Sequence, residues 1–308
     1  MRNAFADEVT QLAARDSRIV LLSGDIGNRL FDRLRAQSPT QFINCGVAEA
    51  NMIGVAAGMA LCGLRPITYT ITPFTTTRCL EQIRVDVAYH EAPVIIVGTG
   101  SGLSYASLGP THHSLEDFAI LRAIPNIRIL APWDATSLRR VLRDALLDVT
   151  PTYIRIGKKG EKDIVPAERV AGLGRLTGLV AGDPVAIVAV GTVAIEALCA
   201  AEQLRDRGIS TSVSLAHTVK PLPEEDLRSL FASHRIVVTV EEHAVAAGFG
   251  ESVVGLAHRS GYSGQVIPLG VPDGFLGKAG SQGYARRLTG IDASAIVGVI
   301  RAAVNGEP

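Results

Sequence analysis

The stretch GVAEANMIGVAAGMA, residues 46–60, opens with one carboxylate, Glu49, and continues as a series of Gly and Ala residues without another charge. Its small side chains predict a helix with a face smooth enough for another backbone to lie closely against it. An acid in these surroundings either complements the positive end of its helix or exchanges protons with a ligand. Position alone does not separate these two interpretations.

Short apolar runs alternate with helical patterns around this stretch. The runs at 93–97 and 127–130 are continuously apolar, as expected of strands that are covered on both faces. Strand, helix and strand in repetition imply a parallel sheet with right-handed crossovers. In the first half, strands are predicted at 18–24, 65–71, 93–99, 127–132 and 151–157, and helices near 46–62, 78–90, 114–123 and 134–148.

The composition changes at residues 158–183, which are rich in charge and glycine, and a second α/β unit follows. A chain of 308 residues is long enough for two domains of ordinary size. We therefore expect an α/β protein of two domains, each a mostly parallel sheet with helices on both faces. The expected division is a first domain at 1–165, a linker at 166–183, and a second domain at 184–308 with strands at 185–191, 210–216, 235–242 and 265–270 and helices at 192–207, near 223–231, at 248–260 and near 291–304.

The composition argues against several classes of function. Lys plus Arg equals Asp plus Glu, 30 of each, and this zero net charge argues against nucleic acid or an anionic membrane as partner. No apolar run reaches the roughly 20 residues of a bilayer span, and the amphipathic N-terminus carries acids that a signal peptide lacks. We expect a cytoplasmic protein whose cysteines are free thiols without metal-ligand spacing: Cys45, Cys62, Cys79 and Cys199.

Three loops that follow predicted strands carry side chains suited to chemistry. Phe74 lies in a Pro/Thr turn, where its ring either packs the turn or faces a flat ligand. His112 follows a buried strand at its C-terminal end, which is where parallel sheets bind ligands; structural and functional roles are evenly balanced for it. Arg155 and Lys158 form either a solvated charge run or a clamp for phosphate or carboxylate. The adjacent histidines lack a third ligand at a matching spacing, so no metal site is expected.

Together these segments resemble the second half of transketolase-type thiamine diphosphate enzymes. The motifs follow in the family's order, and the resemblance covers nearly the whole chain. It implies a pyrimidine-binding domain followed by a transketolase C-terminal domain. Because the chain starts where the pyrimidine domain should start, it is similar to the small subunit of a split transketolase. The matching motifs are G-x-A-E-x-x-M-x-G-x-A-A-G at 46–58, P-F-x-x-x-R-x-x-E-Q at 73–82, G-x-T-H-x-x-x-E-D at 109–117, VKPLPEE at 219–225 and EEHAVAAGFGE at 241–251.

The resemblance implies cofactor-binding roles for three residues. Glu49 takes the place of the glutamate that contacts N1′ of the thiamine aminopyrimidine and so activates the cofactor. Phe74 matches the aromatic ring that packs on the pyrimidine, and Arg78 belongs to the same cofactor-binding motif.

It also implies substrate-binding roles. His112 matches the histidine that handles the donor's oxygen during carbon–carbon cleavage, Lys158 falls where the family commonly binds substrate phosphate, and Arg155 is a second candidate for that role. Two positions depart from the pattern. Leu108 replaces an aspartate that reads a substrate hydroxyl, and Gly100 replaces a phosphate-binding histidine. The donor and acceptor are therefore left open.

The family's GDG…N signature for Mg²⁺ and diphosphate is missing from this chain, because Gly24 and Asp25 in the glycine-rich loop 23–28 are followed by Ile26. We therefore expect an N-terminal transketolase subunit to hold that site, with both chains in a heterotetramer or larger assembly. The main expectation is transfer of a two-carbon ketol unit between sugar phosphates or related aldehydes. The alternatives are a 2-oxoacid dehydrogenase β-subunit, a deoxyxylulose-phosphate-synthase-like enzyme, and a non-catalytic α/β binding module.

Overall fold

Two sheets organise the computed structural model, which describes residues 1–27 and 29–306. The first sheet has seven strands in the order β10-β5-β6-β4-β3-β1-β2, and all its pairs are parallel except β10 with β5. Asn28, in the glycine-rich loop 23–28, and residues 307–308, at the end of the predicted second domain, lie outside the described residues. The strands are β1 (Ile19–Ser23), β2 (Phe42–Asn44), β3 (Arg65–Ile71), β4 (Ile95–Thr99), β5 (Arg128–Leu130), β6 (Thr152–Ile156) and β10 (Thr218–Lys220).

The second sheet has five strands in the order β12-β11-β8-β9-β7, and β7 alone is antiparallel to its neighbour in this sheet. Both sheets are mostly parallel and carry helices, as the apolar runs predict. The strands are β7 (Leu176–Val180), β8 (Val185–Val190), β9 (Thr211–Ala216), β11 (Ile236–Ala244) and β12 (Gln265–Val271).

Helices cover both faces of the first sheet. On one face, Met52 and Ala56 share a buried cluster with Phe118, and on the other Phe5 shares a cluster with Leu138. The α-helices are α1 (Arg2–Ala13), α2 (Asp32–Gln37), α3 (Glu49–Leu61), α4 (Thr72–Thr75), α5 (Leu80–Gln82, continued by a π-helix at Ile83–Tyr89), α6 (Asp117–Arg122), α7 (Ala135–Leu146), α8 (Ala194–Arg205), α9 (Glu224–Ser233), α10 (Phe249–Arg259), α11 (Gln282–Thr289) and α12 (Ala293–Asn305).

The predicted strands are all present, and three short edge strands were not predicted. β2 and β10 have three residues each, too few for a periodic pattern. β7 lies inside the predicted linker 166–183, so this segment is an edge strand of the second sheet and not only a connection. β10 comes from the second half of the chain yet pairs with β5 of the first sheet. The domain boundaries themselves stay a prediction.

One helical stretch among the described residues, Gln282–Asn305, is long and apolar enough for a membrane span by length and composition. It consists of two helices, because α11 ends at Thr289 and the next residue, Gly290, has a left-handed φ of 72°. The second of them, α12, buries Ile296, Val297 and Ile300 in the core of the second sheet. Its apolar face is therefore accounted for by packing within the fold.

Candidate active site

Glu49 is the first residue of α3 and is only 3% exposed. Nη1 of Arg78 donates to its Oε2 at 2.8 Å, and the Arg78 side chain is 46% exposed. Gly24 lies behind the carboxylate, where an added Cβ would stand 3.3 Å from Glu49 Cγ and 3.0 Å from Thr70 Oγ1. Glu49 is thus a buried acid with a half-exposed cation beside it. It also sits at the positive end of a helix, so its position is compatible with both sequence interpretations.

The ring of Phe74 lies next to Arg78, the partner of Glu49. It lies in α4, the short helix that follows β3, and is only partly buried. Among the described residues, it belongs to none of the three clusters of packed apolar side chains. The Arg78 guanidinium carbon lies 4.4 Å from the ring centroid. Arg78 therefore contacts both the buried Glu49 carboxylate and an aromatic ring that is not packed in a hydrophobic cluster.

His112 lies edge-on to this ring, with 5.4 Å between centroids and an interplanar angle of 66°. It sits in a turn in which its N–H donates to the carbonyl of Gly109, whose φ is 79°. Thr111 Oγ1 and His112 Nδ1 lie 2.9 Å apart, within hydrogen-bond distance. Leu108 is 51% exposed on the same loop. The imidazole is therefore held from one side and remains close to the aromatic ring.

Tyr105 continues the site beyond His112, and sequence reasoning missed it. The two rings are 5.9 Å apart, and Lys158 Nζ lies 4.7 Å from the Tyr105 centroid. Burial raises the pKa of the Tyr105 hydroxyl, and the nearby charge of Arg2 opposes that rise. Gly100, at a φ of 91°, leaves the space for this ring, because an added Cβ would stand 2.1 Å from Tyr105 Cε2. Tyr105 thus fills the place next to the missing histidine.

Arg2 is a second missed residue. Its Nε is buried without a hydrogen-bond partner, and its charge acts on both Tyr105 and Tyr69. The helical pattern of the N-terminus placed Arg2 on an amphipathic helix but gave no sign that α1 reaches this edge of the sheet. The charge of Arg2 thus acts on Tyr105, the residue whose ring Lys158 also contacts.

The prediction that Arg155 binds substrate phosphate is wrong, because its side chain is buried. Arg155 lies inside β6 and is 2% exposed. Its guanidinium donates to Asp117 Oδ1 at 2.8 Å and to the carbonyls of Ser114 and Glu242 at 3.1 and 3.0 Å, and it lies 4.0 Å from the ring of Phe118. Both of its Nη atoms are engaged by protein acceptors and its Nε is buried without a partner, because Asp117 and the second sheet cover this end of the strand.

Apart from Leu108, the remaining predicted residues form, together with Tyr105, one continuous array at the carboxyl edge of the first sheet. It offers a carboxylate, an aromatic ring, an imidazole and an ammonium group in that order. Such an array suits a flat nitrogen heterocycle at the carboxylate end and an anionic substrate at the other end. No group of three potential metal ligands occurs in the part of the chain that the structure describes. The array comprises Glu49, Arg78, Phe74, His112, Tyr105 and Lys158.

Comparison with known proteins identifies the family to which this site belongs. Residues 1–160 match the family model of the transketolase pyrimidine-binding domain, and residues 174–296 match that of the transketolase C-terminal domain. This chain belongs to the transketolase family. In this transketolase homologue the first match contains β1 to β6 and the second contains β7 to β12, of which β10 pairs with the first sheet.

Its similarity to split transketolases extends over almost the whole chain. The 6-deoxy-6-sulfo-D-fructose transketolase subunit SqwH of a Clostridium species is 36% identical over 96% of this chain and 92% of the relative. A solved split-gene transketolase, described as an inactive beta4 tetramer, superposes with a TM-score of 0.89 at 31% identity, over 99% of this chain and 97% of that one. The transketolase chain described here is therefore a homologue of split-transketolase small subunits.

The 1-deoxy-D-xylulose-5-phosphate synthase of Aquifex aeolicus is 35% identical over 99% of this chain, and this chain spans 48% of that enzyme's length.

The residues of this transketolase homologue fit one half of thiamine diphosphate. The buried Glu49 carboxylate can hydrogen-bond a pyrimidine nitrogen, and the unpacked ring of Phe74 offers a stacking surface. These two groups suit the heterocycle of the cofactor.

Proposed function

We propose that this chain supplies the pyrimidine half-site of a two-subunit transketolase and that a partner subunit supplies the Mg²⁺ and diphosphate site. The observation that carries the proposal is the Arg78 bridge, which joins the 3% exposed carboxylate of Glu49 to the ring of Phe74. A helix-capping acid alone does not require an unpacked aromatic ring beside it. The two groups together match the two faces that an aminopyrimidine presents, its nitrogen edge and its ring plane.

When bound, thiamine diphosphate supplies the electron sink for cleaving and forming a carbon–carbon bond. In this proposal Glu49 holds a hydrogen bond at pyrimidine N1′, and its burial keeps water from competing for that bond. Phe74 fixes the plane of the ring. His112 binds the donor's hydroxyl and holds its proton while the bond breaks. Lys158 binds the anionic end of the substrate.

The exposed face of α3 supports a partner subunit. Val55 and Leu61 are 39% and 61% exposed on this helix, and a Cβ added at Gly58 would meet nothing within 4 Å. This apolar, small-residue face suits close packing of another helix. We propose a heterotetramer in which it contacts another subunit, in the cytoplasm, where the four free thiols would stay reduced.

The substrates we propose are a ketose donor with an anionic group and an aldehyde acceptor. Relatives carry names that specify 6-deoxy-6-sulfo-D-fructose and apulose-4-phosphate. In this chain the exposed Leu108 stands where a hydroxyl-reading aspartate would lie, which favours an acceptor that lacks the usual 2-hydroxyl.

Reconstitution tests the proposal. We expect the isolated chain to bind thiamine diphosphate weakly in calorimetry and to bind it tightly once the partner and Mg²⁺ are added. The reconstituted pair should release an aldose from a ketose phosphate. Tight binding by the isolated chain would contradict the split site. Release of CO₂ from a 2-oxoacid without ketol transfer would favour the synthase-like or dehydrogenase-like alternative.

A further inference from the structure

Glu242, on β11 of the second sheet, contacts a loop of the first domain. Its carboxylate is 1% exposed. Oε2 accepts the backbone N–H of Leu103 at 3.0 Å, and both oxygens lie within 3.0 Å of Gln282 Nε2. Arg286 donates to Oε1 and also pairs with Glu196. The buried charge is thus neutralised within the second domain while one of its oxygens reaches across to the first.

The loop lies directly against this glutamate. Gly102 has a φ of 53°, and a Cβ added there would stand 2.4 Å from Glu242 Cβ and 2.7 Å from its carbonyl oxygen. Only a glycine permits this approach without displacement. Gly102 also forms an antiparallel bridge with Ser114, whose N–H donates to the Gly102 carbonyl at 3.0 Å. Arg155 links the carbonyls of Ser114 and Glu242.

These contacts fix both ends of the segment that carries Tyr105, Leu108 and His112. Leu103 and Gly102 precede it and are held by Glu242, while Ser114 follows it and is tied to Gly102. Between these points, the described hydrogen bonds of Leu108 and His112 are local, to Tyr105, Gly109 and Thr111. The second domain also reaches this segment through the N–H of Gly280, which donates to the Ala106 carbonyl at 3.4 Å, and through Gln282 Nε2, which donates to Ser104 Oγ at 3.3 Å. Glu242, the buried charge among these contacts, holds the end of the segment where it begins.

We propose that Glu242 is a positioning residue through which the C-terminal domain sets the loop that faces the substrate. The inference rests on the proposed function for its kinetic readout but not for its structural one. A carboxylate is required because its oxygens face a backbone N–H, an amide and a guanidinium, all of them donors. Glutamine would turn an NH₂ group toward one of these donors and lose at least one bond.

Amide hydrogen exchange on the full-length chain measures the contact directly. In Glu242→Gln we expect the Leu103 amide and the segment 100–114 to exchange about 10- to 100-fold faster, as for a lost bond to a charged acceptor. Glu241→Gln is the matched control. Glu241 neighbours Glu242 on β11, but its buried carboxylate accepts from the N–H groups of Phe249 and Gly250. Glu241→Gln should speed amide exchange in α10 and leave exchange in the segment 100–114 unchanged.

Kinetics of the reconstituted pair give the second readout. Glu49 and Phe74 lie outside the segment 100–114. Glu242→Gln should therefore raise the donor KM about tenfold while the thiamine diphosphate affinity changes by less than about twofold. An equal loss of cofactor affinity, or unchanged exchange at Leu103, would overturn the proposal. If Glu242→Gln does not fold, Gly102→Ala must give the same pattern. A wild-type pair without ketol transfer would refute the proposed function, and exchange alone would then decide the role of Glu242.

Discussion

Arg78 and Glu49 form an ion pair of 2.8 Å in which the carboxylate is 3% exposed and the arginine side chain is 46% exposed. Solvent screens the exposed partner, so such a pair contributes on the order of 1 kcal/mol or less. A ligand that hydrogen-bonds the carboxylate can therefore share or replace the arginine at small cost. The carboxylate is therefore buried, but its half-exposed partner leaves it accessible to a ligand.

Replacing Glu49 with glutamine tests the role of its carboxylate. We expect Glu49→Gln to slow deuterium exchange at the thiazolium C2 of thiamine diphosphate at least about 100-fold in the reconstituted pair, because an amide is a poor proton acceptor. NMR after acid quench measures this rate. Glu81→Gln is the control, since Glu81 pairs with Arg84 on the surface. Exchange at the wild-type rate in Glu49→Gln would remove Glu49 from this role.

Arg78 should affect the same rate through the orientation of Glu49. Arg78→Ala removes the donor at Oε2 and the contact with Phe74, and we expect C2 exchange to slow about tenfold. The C2 exchange rate of Arg78→Lys should lie between those of Arg78→Ala and the wild type, because lysine keeps the charge but not the planar contact. Arg84→Ala, which breaks only the surface pair with Glu81, should match the wild type. An Arg78→Ala rate equal to wild type would show that Glu49 needs no positioning partner.

Most of the site was predictable because parallel strands place the loops that follow them at one edge. Phe74 after β3 and His112 after β4 come together for this reason. Arg155 misled because burial at the end of β6 depends on Asp117 and on a second sheet nearly 90 residues further along the chain. Tyr105 was missed because its role depends on the space left by Gly100, and no linear pattern records such a contact.

Leu108 should govern the choice of acceptor. Leu108→Asp places a hydrogen-bond acceptor on the exposed loop beside the substrate end, so we expect the kcat/KM ratio of 2-hydroxyaldehyde to unhydroxylated aldehyde acceptors to rise about 10- to 100-fold. Coupled aldehyde-consumption assays measure both constants. Leu147→Asp, on a leucine that is 85% exposed just after α7, controls for added surface charge. An unchanged ratio would show that Leu108 does not set specificity.

Gly100 and Tyr105 should be coupled in stability. Gly100→His forces a side chain into the ring of Tyr105 at a φ of 91°, and we expect it to destabilise the chain by about 2–4 kcal/mol. Adding Tyr105→Ala should recover at least about 1 kcal/mol, because the space is then free. Urea unfolding of the two single variants and the double variant gives the coupling free energy. Additive losses would mean that the ring does not exclude the histidine.

His243 should make the junction between the two domains sensitive to acid. It stacks on Phe118, its Nδ1 lies 2.7 Å from the Ala244 carbonyl, and its Nε2 accepts the N–H of Ala119. Both ring nitrogens are thus used by a neutral imidazole. Burial lowers the pKa of His243 to about 4, and the nearby Asp117 carboxylate opposes this only in part.

The sign of the effect follows from this depressed pKa. Between pH 6.5 and 4 the unfolded chain binds a proton at His243 and the folded chain does not. The contribution of neutral His243 to the free energy of unfolding is therefore present above pH 6.5 and is lost as the pH falls through 4. The buried Glu241 acts oppositely, because burial raises its pKa to about 7 and its contribution is lost as the pH rises toward that value. The whole-chain profile therefore mixes the two, and a difference between variants is needed to isolate His243.

His243→Gln supplies that difference, because an amide can make both hydrogen bonds without titrating. We expect the stability of the wild type relative to His243→Gln to fall by up to about 3 kcal/mol from pH 7 to pH 4. Urea unfolding across this range measures it, with the exposed His258→Gln as the control. A flat difference curve would mean that protonated His243 is accommodated, through Asp117, without opening the junction.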